Sequence, residues 1–199
     1  MSDREALMRA ICENPDDDTP RLVFADWLDE HGEPERAEFI RVQIEADRQQ
    51  PFTIPWFKLN KRGKQLLDTH ELRWRTEVPT DDMFRWRWFR HGFLDQLIAL
   101  DFDSFHIRAA EVFTAAPIRE LHLGLVRSLT QLGTIPFLNR PIRIRVFAGW
   151  VTPEDVVGFL SSPGGRAVRR IEFLNWASHD EPRQLLLEGL RGRVEFPIV

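Results

Sequence analysis

Cysteine, tyrosine and net positive charge are scarce or missing in this chain of 199 residues. Its single cysteine, Cys12, excludes an intramolecular disulfide and any metal site that needs several thiolates. A net charge of −4 argues against non-specific nucleic-acid binding through a globally basic surface. No run approaches the roughly 20 apolar residues of a membrane helix, and no signal-peptide stretch follows Met1. We therefore expect a cytoplasmic protein with no membrane partner.

Apolar and charged residues are both plentiful. The chain is 43% hydrophobic and 29% charged, which predicts a folded core and not a disordered segment. Its aromatic residues are 15 Phe and 7 Trp, whose large side chains each bury much apolar area. The length fits one domain, or one compact domain with a short appended module.

The first 50 residues predict three helices. Ser2 and Glu5 form a capping box that opens the first helix. Thr19 followed by Pro20 has the residue types of an N-cap and first helical position, and a third helix starts near Pro34. The second helix is expected to carry its apolar face at Leu22, Val23, Trp27 and Leu28.

The same region carries a specific motif. Residues 14–32 read Asn-Pro-Asp-Asp-Asp-Thr-Pro-Arg-Leu-Val-Phe-Ala-Asp-Trp-Leu-Asp-Glu-His-Gly, and residues 36–43 read Arg-Ala-Glu-Phe-Ile-Arg-Val-Gln. This sequence resembles the bacterial repeat-companion domain over roughly residues 3–45. The family lies N-terminal to leucine-rich-type repeats, so the resemblance implies a repeat array downstream and implies no activity. Within it, Asp26 is expected to bond backbone amides, Arg21 or Arg36, and Trp27 to anchor helix packing.

A fourth helix is expected between the N-terminal helices and the repeats. Pro51 and Pro55 break the third helix, and Trp56 to Glu77 returns to helical spacing. This helix would shield the open end of the first repeat, because repeat arrays need capped termini. The predicted organisation is a helical repeat-companion module over 1–50, a linker and capping helix over 51–82, and repeats over 83–199.

Five short segments then share the frame apolar-x-x-apolar-x-apolar, fully or in part. Their middle positions recur every 23 to 27 residues, inside the range of leucine-rich repeats, and are Leu97, Leu121, Ile144, Ile171 and Val194. The predicted fold class is α/β: a helical N-terminal cap followed by a short leucine-rich-repeat-like solenoid with a parallel strand face. The usual asparagine or cysteine after each strand is missing, so the array is degenerate. The alternative is an ordinary α/β domain whose strands happen to recur.

Segments between the strands have helical character. Residues 103–116, a segment opened by Thr152 and Pro153, and a segment opened by Glu181 and Pro182 are the better candidates. Residues 128–138 are the poorest, because Gly133 and Pro136 interrupt them. Residues 161–165 are expected to form a plain loop.

The run from Arg85 to His91, Arg-Trp-Arg-Trp-Phe-Arg-His, has two interpretations. In one strand, its alternation would place the arginines on one face and the indoles on the other. Arg85, Arg87 and Arg90 with exposed indoles would suit single-stranded nucleic acid. Alternatively, the run is an edge or capping strand whose indoles face the core and whose arginines oppose aggregation.

The predicted strand face is rich in basic residues. Positions between the inward apolar residues should point outward, and solenoids bind partners through this surface. The outward positions are Asp95, Gln96, Ile98, Arg119, Glu120, His122, Arg143, Arg145, Arg169, Arg170, Glu172, Gly192, Arg193 and Glu195. An acidic or phosphorylated protein could dock there, or the face could simply be solvated. The candidate partner-binding residues are Arg119, His122, Arg143, Arg145, Arg169, Arg170, Arg85 and Arg87.

No residue pattern indicates catalysis, a cofactor or a metal. Asp16, Asp17 and Asp18 lack the glycine and glutamate of a calcium loop, and the six histidines show no metal-ligand spacing. The sequence thus predicts a non-catalytic protein-interaction module. The alternative is a nucleic-acid-binding protein using residues 85–91, and a hydrolase would require a pocket of converging carboxylates or histidines.

Overall fold

A computed structural model describes residues 2–141, 143–147, 152–174 and 194–195. The expected helix opened by Glu181 and the outward positions Gly192 and Arg193 lie outside the described residues. The described helices are α1 (Asp3–Glu13), α2 (Thr19–Glu30), α3 (Pro34–Arg48), α4 (Ile54–Arg75), α5 (Phe102–Ala115), α6 (Leu129–Leu132), α7 (Pro153–Ser161) and α8 (Pro163–Ala167). The described strands are β1 (Phe84–Trp86), β2 (Phe89–Arg90), β3 (Phe93–Leu94), β4 (Gln96–Ala99), β5 (Glu120–Leu123), β6 (Arg143–Phe147), β7 (Ile171–Leu174) and β8 (Val194–Glu195).

The chain divides into two compact units. The first contains the residues up to Thr80 together with Trp88–Asp95 and Thr114–Pro117. The second contains Asp81–Arg87, Gln96–Phe113 and the described residues from Ile118 onward. The expected boundaries at residues 50 and 82 differ from this division, because α4 and the β2–β3 hairpin belong to the same unit as the first three helices.

The N-terminal helices form as their end signals predict, with one exception. The capping box of α1 is confirmed, since the Ser2 hydroxyl accepts from the Glu5 amide at 3.3 Å and the Glu5 carboxylate accepts from the Ser2 amide at 2.9 Å. Thr19 is not the cap of α2. It is the first helical residue, and its amide donates to Asp17 at 2.8 Å.

The core of the first unit lies between these helices and the β2–β3 hairpin. The predicted apolar face of α2 is wrong at Val23, which is 49% exposed, whereas Phe24 and Ala25 are buried. One core cluster consists of Ile11, Phe24, Ala25, Leu28, Ala37, Ile40, Ile44 and Phe93, and a second consists of Phe39, Leu66 and Trp74.

The β2–β3 hairpin turns at His91 and Gly92, which both have positive φ, at 47° and 87°. Two such residues form the tight turn whose twist matches that of the flanking strands. The side chain of Gln43 on α3 makes two hydrogen bonds to the hairpin backbone. Its Oε1 accepts from the Gly92 amide at 2.7 Å, and its Nε2 donates to the Phe89 carbonyl at 3.2 Å. The turn therefore forms part of the first unit and not of a continuous strand from Arg85.

The second unit is built on a six-stranded sheet in the order β1-β4-β5-β6-β7-β8. The edge strand β1 is antiparallel to β4, and the remaining pairs are parallel. The α/β class is confirmed. The five predicted middle positions are also confirmed as equivalent, because the strand register aligns Leu97, Leu121, Ile144, Ile171 and Val194.

The described connections between the parallel strands are helical. Helix α5 occupies the segment predicted at 103–116, and the weakest candidate contains only the four-residue α6. Thr152 caps α7 through a capping box with Asp155, as its residue type predicts. The prediction of a plain loop at 161–165 is wrong, because α8 begins at Pro163. None of the described helices is long and apolar enough to span a bilayer.

Candidate binding surface

Successive side chains of the parallel strands point to opposite faces of the sheet, and one face is buried while the other is partly exposed. Leu97, Leu121, Ile144 and Ile171 are fully buried. The residues between the buried positions are partly exposed, and Phe147 is 40% exposed. We call these residues the outward strand face, which comprises Gln96, Ile98, Glu120, His122, Arg143, Arg145, Phe147, Glu172 and Leu174.

The strand register sorts the outward strand face into rows. Gln96, Glu120 and Arg143 are neighbours in the first row. The second row contains Ile98, His122, Arg145 and Glu172, and in the third Phe147 lies beside Leu174. Side chains at such paired positions of neighbouring strands lie close enough to interact directly. The face thus places two charged rows beside an apolar pair at the carboxyl ends of β6 and β7.

The charged side chains of these rows form one network. Arg145 donates to Glu172 at 2.6 Å, and Nε of Arg143 lies 3.4 Å from the other carboxylate oxygen of Glu172. Arg143 also lies 3.8 Å from Glu120, whose second oxygen accepts from Gln96 at 2.8 Å. Each arginine is therefore held by a carboxylate, and these pairings orient all four charged side chains.

His122 occupies the centre of the network. Its Nε2 lies 3.4 Å from Nη1 of Arg145 and 3.7 Å from a Glu120 oxygen. Burial, followed by the positive charge of Arg145, lowers the pKa of His122, while Glu120 and Glu172 oppose this change. The lowered pKa favours the neutral imidazole, so His122 contributes polarity to this face and little positive charge at neutral pH.

This geometry corrects the expectation of a basic strand face. Arg143 and Arg145 are balanced by Glu120 and Glu172, so the two charged rows carry no net positive charge between them. The linear sequence shows how many arginines each strand carries. It does not show that the cross-strand register places a glutamate within ion-pair distance of each one.

The remaining arginines predicted on this face lie beside it. Arg119 immediately precedes β5, and Arg169 and Arg170 precede β7. The backbone carbonyls of Arg119 and Arg170 accept hydrogen bonds from the backbone amides of Arg143 and Ile144, respectively, and so extend the strand pairing. Arg169 is exposed, and the other two are partly exposed. Asp95, also expected to point outward, is buried.

The run from Arg85 to His91 is divided between the two units. Only its first two residues belong to β1, so the prediction of one two-faced strand is wrong. Arg85 donates to the backbone carbonyls of Asp82 and Phe84 at 2.7 and 2.9 Å, and Arg87 is exposed outside the strand. Trp88 is 65% exposed, which contradicts the inward position that the edge-strand interpretation gave it.

Residues singled out in the acidic turn have structural partners. Imidazole nitrogens of His91 lie 2.8 Å from Asp18 and 2.8 Å from Asp47. The Arg21 guanidinium is buried and donates to the backbone carbonyls of Asp17 and Pro15 at 2.7 and 3.0 Å. Within the described residues, no three His, Cys, Asp or Glu side chains are arranged to hold a metal ion.

Asp26 and Trp27 contact neighbouring side chains of the first unit. Asp26 pairs with Arg41 at 2.6 Å, and not with Arg21 or Arg36 as expected. Trp27 stacks on Phe24 with ring centroids 5.9 Å apart, in agreement with a packing role.

Sequence reasoning missed the buried Arg36. It donates to Glu77 at 2.8 Å, and its guanidinium lies 4.8 Å from the Trp74 ring centroid. Burial lowers the pKa of Arg36, and the charge of Glu77 opposes this change. No local sequence signal distinguishes this arginine from exposed ones on the same helix.

A small cavity of about 180 Å³ lies between α3, α4 and the β2–β3 hairpin. Its polar lining includes Asp47, Arg90, His91 and Gln43. Asp47 is engaged by Arg90 and His91, and Gln43 by the hairpin backbone. The contacts of Asp47 with Arg90 and His91, and of Gln43 with the hairpin backbone, connect the β2–β3 hairpin to α3.

No family model, no curated protein and no solved structure matches the chain.

Proposed function

We propose that the second unit is a short, degenerate leucine-rich-repeat-like solenoid and that the protein is a non-catalytic protein-interaction module. The resemblance of residues 14–43 to the repeat-companion domain and the aligned middle positions of the strands support the architectural part. The outward strand face is the proposed contact surface, because solenoids of this type bind partners through their strand faces.

The observation that carries the proposal is the cross-strand network of Arg143, Arg145, Glu120 and Glu172 beside exposed Phe147. Four charged side chains held in fixed positions can discriminate between partners by charge pattern, even without net charge. The apolar pair of Phe147 and Leu174 supplies the desolvated contact that charged groups alone do not provide. The partner we propose is a protein segment with an apolar side chain flanked by charges of both signs, and not a uniformly acidic one.

A charge swap separates this function from a purely structural role of the network. In the quadruple variant Glu120→Arg/Arg143→Glu/Arg145→Glu/Glu172→Arg, every ion pair between these four residues is retained but its polarity is reversed. We expect thermal stability near that of the wild type, while proteins captured from the cell extract by the wild type are lost. Each single variant should lower stability, since it places like charges together.

The matched control is the exposed pair of Lys64 and Asp68, whose charged atoms lie 2.6 Å apart on α4. The swap Lys64→Asp/Asp68→Lys should change neither stability nor the captured set. An unchanged captured set in the quadruple charge swap would show that the network only stabilises the sheet, and the outward strand face would lose its proposed role.

Nucleic acid has less support as a partner. Arg85 is engaged by backbone carbonyls, Arg90 by Asp47, and the arginines of the outward strand face by glutamates. A basic contact surface predicts a steep loss of affinity with rising salt. Measuring binding of single-stranded DNA against salt concentration, with Arg85→Ala/Arg87→Ala as the comparison, distinguishes the two functions.

A further inference from the structure

The start of α4 and the turn before it expose an unusual group of large apolar side chains. Phe52 is 79% exposed, Ile54 is 72% exposed and Phe57 is 55% exposed. The ring of Trp56 lies between the two phenylalanines, 5.5 Å from Phe52 and 5.0 Å from Phe57. We call this group, with Lys58 and Lys61 of the following turn, the aromatic–lysine tip.

The backbone of the tip is held in place by local hydrogen bonds. The Thr53 hydroxyl donates to the Gln50 carbonyl at 2.7 Å, and the same oxygen accepts from the Trp56 amide as the cap of α4. Phe52 has a φ of 66°, a left-handed conformation that is costly for an aromatic residue. Its ring nevertheless remains outside the core, so burial in the first unit does not compensate the strain.

The charged residues within the chain segment of the tip are all basic. Residues 49–67 contain Lys58, Lys61, Arg62 and Lys64 and no acidic residue, in a chain whose net charge is −4. Arg62 is engaged by Glu38, and Lys64 by Asp68. Lys58 and Lys61 are exposed and form no ion pair with a described residue.

Helical spacing places the apolar and basic side chains together. Ile54, Phe57, Lys58 and Lys61 are separated by three, four and seven positions, so they share one face of α4. Gly63, Leu66 and Trp74 occupy the buried face of the same helix. The tip is therefore an exposed surface with protruding rings and unpaired ammonium groups side by side.

Exposed apolar side chains beside unpaired lysines favour one type of binding partner. A second copy of the tip would bring lysines against lysines, which opposes self-association. An anionic lipid surface accepts both features at once, since the protruding Phe and Ile side chains enter the headgroup region while lysines remain at its negatively charged surface. An acidic protein would satisfy the lysines, but it would need pockets for three separately protruding side chains.

We propose that the aromatic–lysine tip docks the protein peripherally on anionic lipid bilayers. This departs from the sequence-based expectation of no membrane partner, which rested on the lack of a spanning segment. Peripheral docking needs no such segment. It is independent of the outward strand face, which belongs to the other unit.

Vesicle sedimentation tests the proposal. The full chain should bind vesicles of phosphatidylcholine mixed with phosphatidylglycerol, and should bind pure phosphatidylcholine much less. Lys58→Gln/Lys61→Gln should weaken partitioning into the mixed vesicles about thirtyfold, since each lysine contributes near the surface. Phe52→Ser/Phe57→Ser should weaken it at least about tenfold, because two rings no longer enter the lipid.

Leu72→Ser is the matched control, because Leu72 is 86% exposed near the other end of the same helix. Its partitioning should equal that of the wild type. Brominated lipid should quench fluorescence in the wild type and in Trp88→Phe, and the quenching should be largely lost in Trp56→Phe.

Three results would overturn the proposal. The first is wild-type protein that does not sediment with the mixed vesicles. The second is equal loss of partitioning in Leu72→Ser and in the tip variants. The third is binding of polyglutamate, lost in the tip variants, without any binding of vesicles, which would assign the tip to an acidic protein partner instead.

Discussion

At the scale of single residues, the two proposed binding surfaces differ in how their charges are held. On the outward strand face, the charged side chains lie within ion-pair distance of one another, so their pairing is set by the fold. At the aromatic–lysine tip, Lys58 and Lys61 extend into solvent without an ion pair to a described residue. We therefore expect mutations on the outward strand face to lower stability as well as any binding there, and mutations of Lys58 and Lys61 to leave stability unchanged.

His122 makes the stability of the second unit depend on pH. Burial and Arg145 lower its pKa in the folded protein, so below pH 6.5, near the pKa of an unfolded histidine, the unfolded chain binds more protons than the folded one. The contribution of His122 to the free energy of unfolding should therefore be largest at neutral pH and decrease as the pH falls below about 6.5. Urea unfolding at pH 7.5 and pH 5.5 should show a smaller pH effect in His122→Gln than in the wild type.

A matched histidine variant identifies the source of that pH effect. His106 lies on α5 and contacts Phe102, outside the network of the outward strand face. His106→Gln should reduce the difference between the two pH values less than His122→Gln does. An equal reduction in both variants would assign the effect to histidines in general.

At the scale of elements, helix ends and the hairpin turn are determined by very local chemistry. Thr152 and Asp155 form a capping box because their spacing matches the first turn of a helix. The ends of α2 show the limit of such reasoning, since Asp17 satisfies the Thr19 amide and Asp18 contacts His91 instead of capping. Local rules predicted Thr19 as the cap, and they could not show that the side chain at the actual N-cap position, Asp18, contacts a histidine of the β2–β3 hairpin.

The β2–β3 hairpin should be sensitive to any side chain at Gly92. Its φ of 87° strains other residues, and an added Cβ would lie 3.0 Å from Cα and Cβ of Ile40 and closer still to Cγ1. Gly92→Ala should lower the free energy of unfolding by about 2 to 4 kcal/mol, combining backbone strain with overpacking. Chemical denaturation of the full chain measures this change.

Gly63→Ala is the control for glycine replacement within the same unit. An added methyl at this helical position meets Val42 at an ordinary contact distance of 3.6 Å. The replacement should raise the free energy of unfolding by roughly 0.5 to 1 kcal/mol through helix propensity. A Gly92→Ala protein as stable as the wild type would show that the turn can move away from α3.

At the scale of the whole molecule, the buried face of the parallel sheet carries aligned rows of core residues, one of which contains Leu97, Leu121 and Ile144. Leu121 is fully buried in this row, between Leu97 and Ile144 on the neighbouring strands. Leu121→Ala should lower the free energy of unfolding of the second unit by about 2 to 5 kcal/mol, since it leaves a cavity. Hydrogen exchange of the amides in β4 to β7 should accelerate together.

Ile107→Ala provides the comparison on α5, where Ile107 is 83% exposed. It should change the free energy of unfolding by less than about 0.5 kcal/mol. Faster exchange confined to β5 in Leu121→Ala would mean that the strands unfold separately and that the row does not act as one core.

The sequence alone determined the helices of the first unit and the equivalence of the five strand segments. These features depend on residues close in the chain, because caps, prolines and alternating apolar positions act within one element. The same local reasoning was wrong about Val23 and residues 161–165. Val23 lies beside other apolar residues that could equally form the buried face, and a short segment with a helix cap can form either a loop or a helix.

The tertiary structure alone decided the character of both surfaces. Charge on the outward strand face depends on which residues the register brings opposite each other, and Arg145 and Glu172 are 27 positions apart. The division of residues 85–91 between two units and the burial of Arg36 have the same origin, because packing partners come from distant segments. Lysines and aromatic residues of the tip are visible in the sequence, but only the fold shows that their side chains remain outside the core.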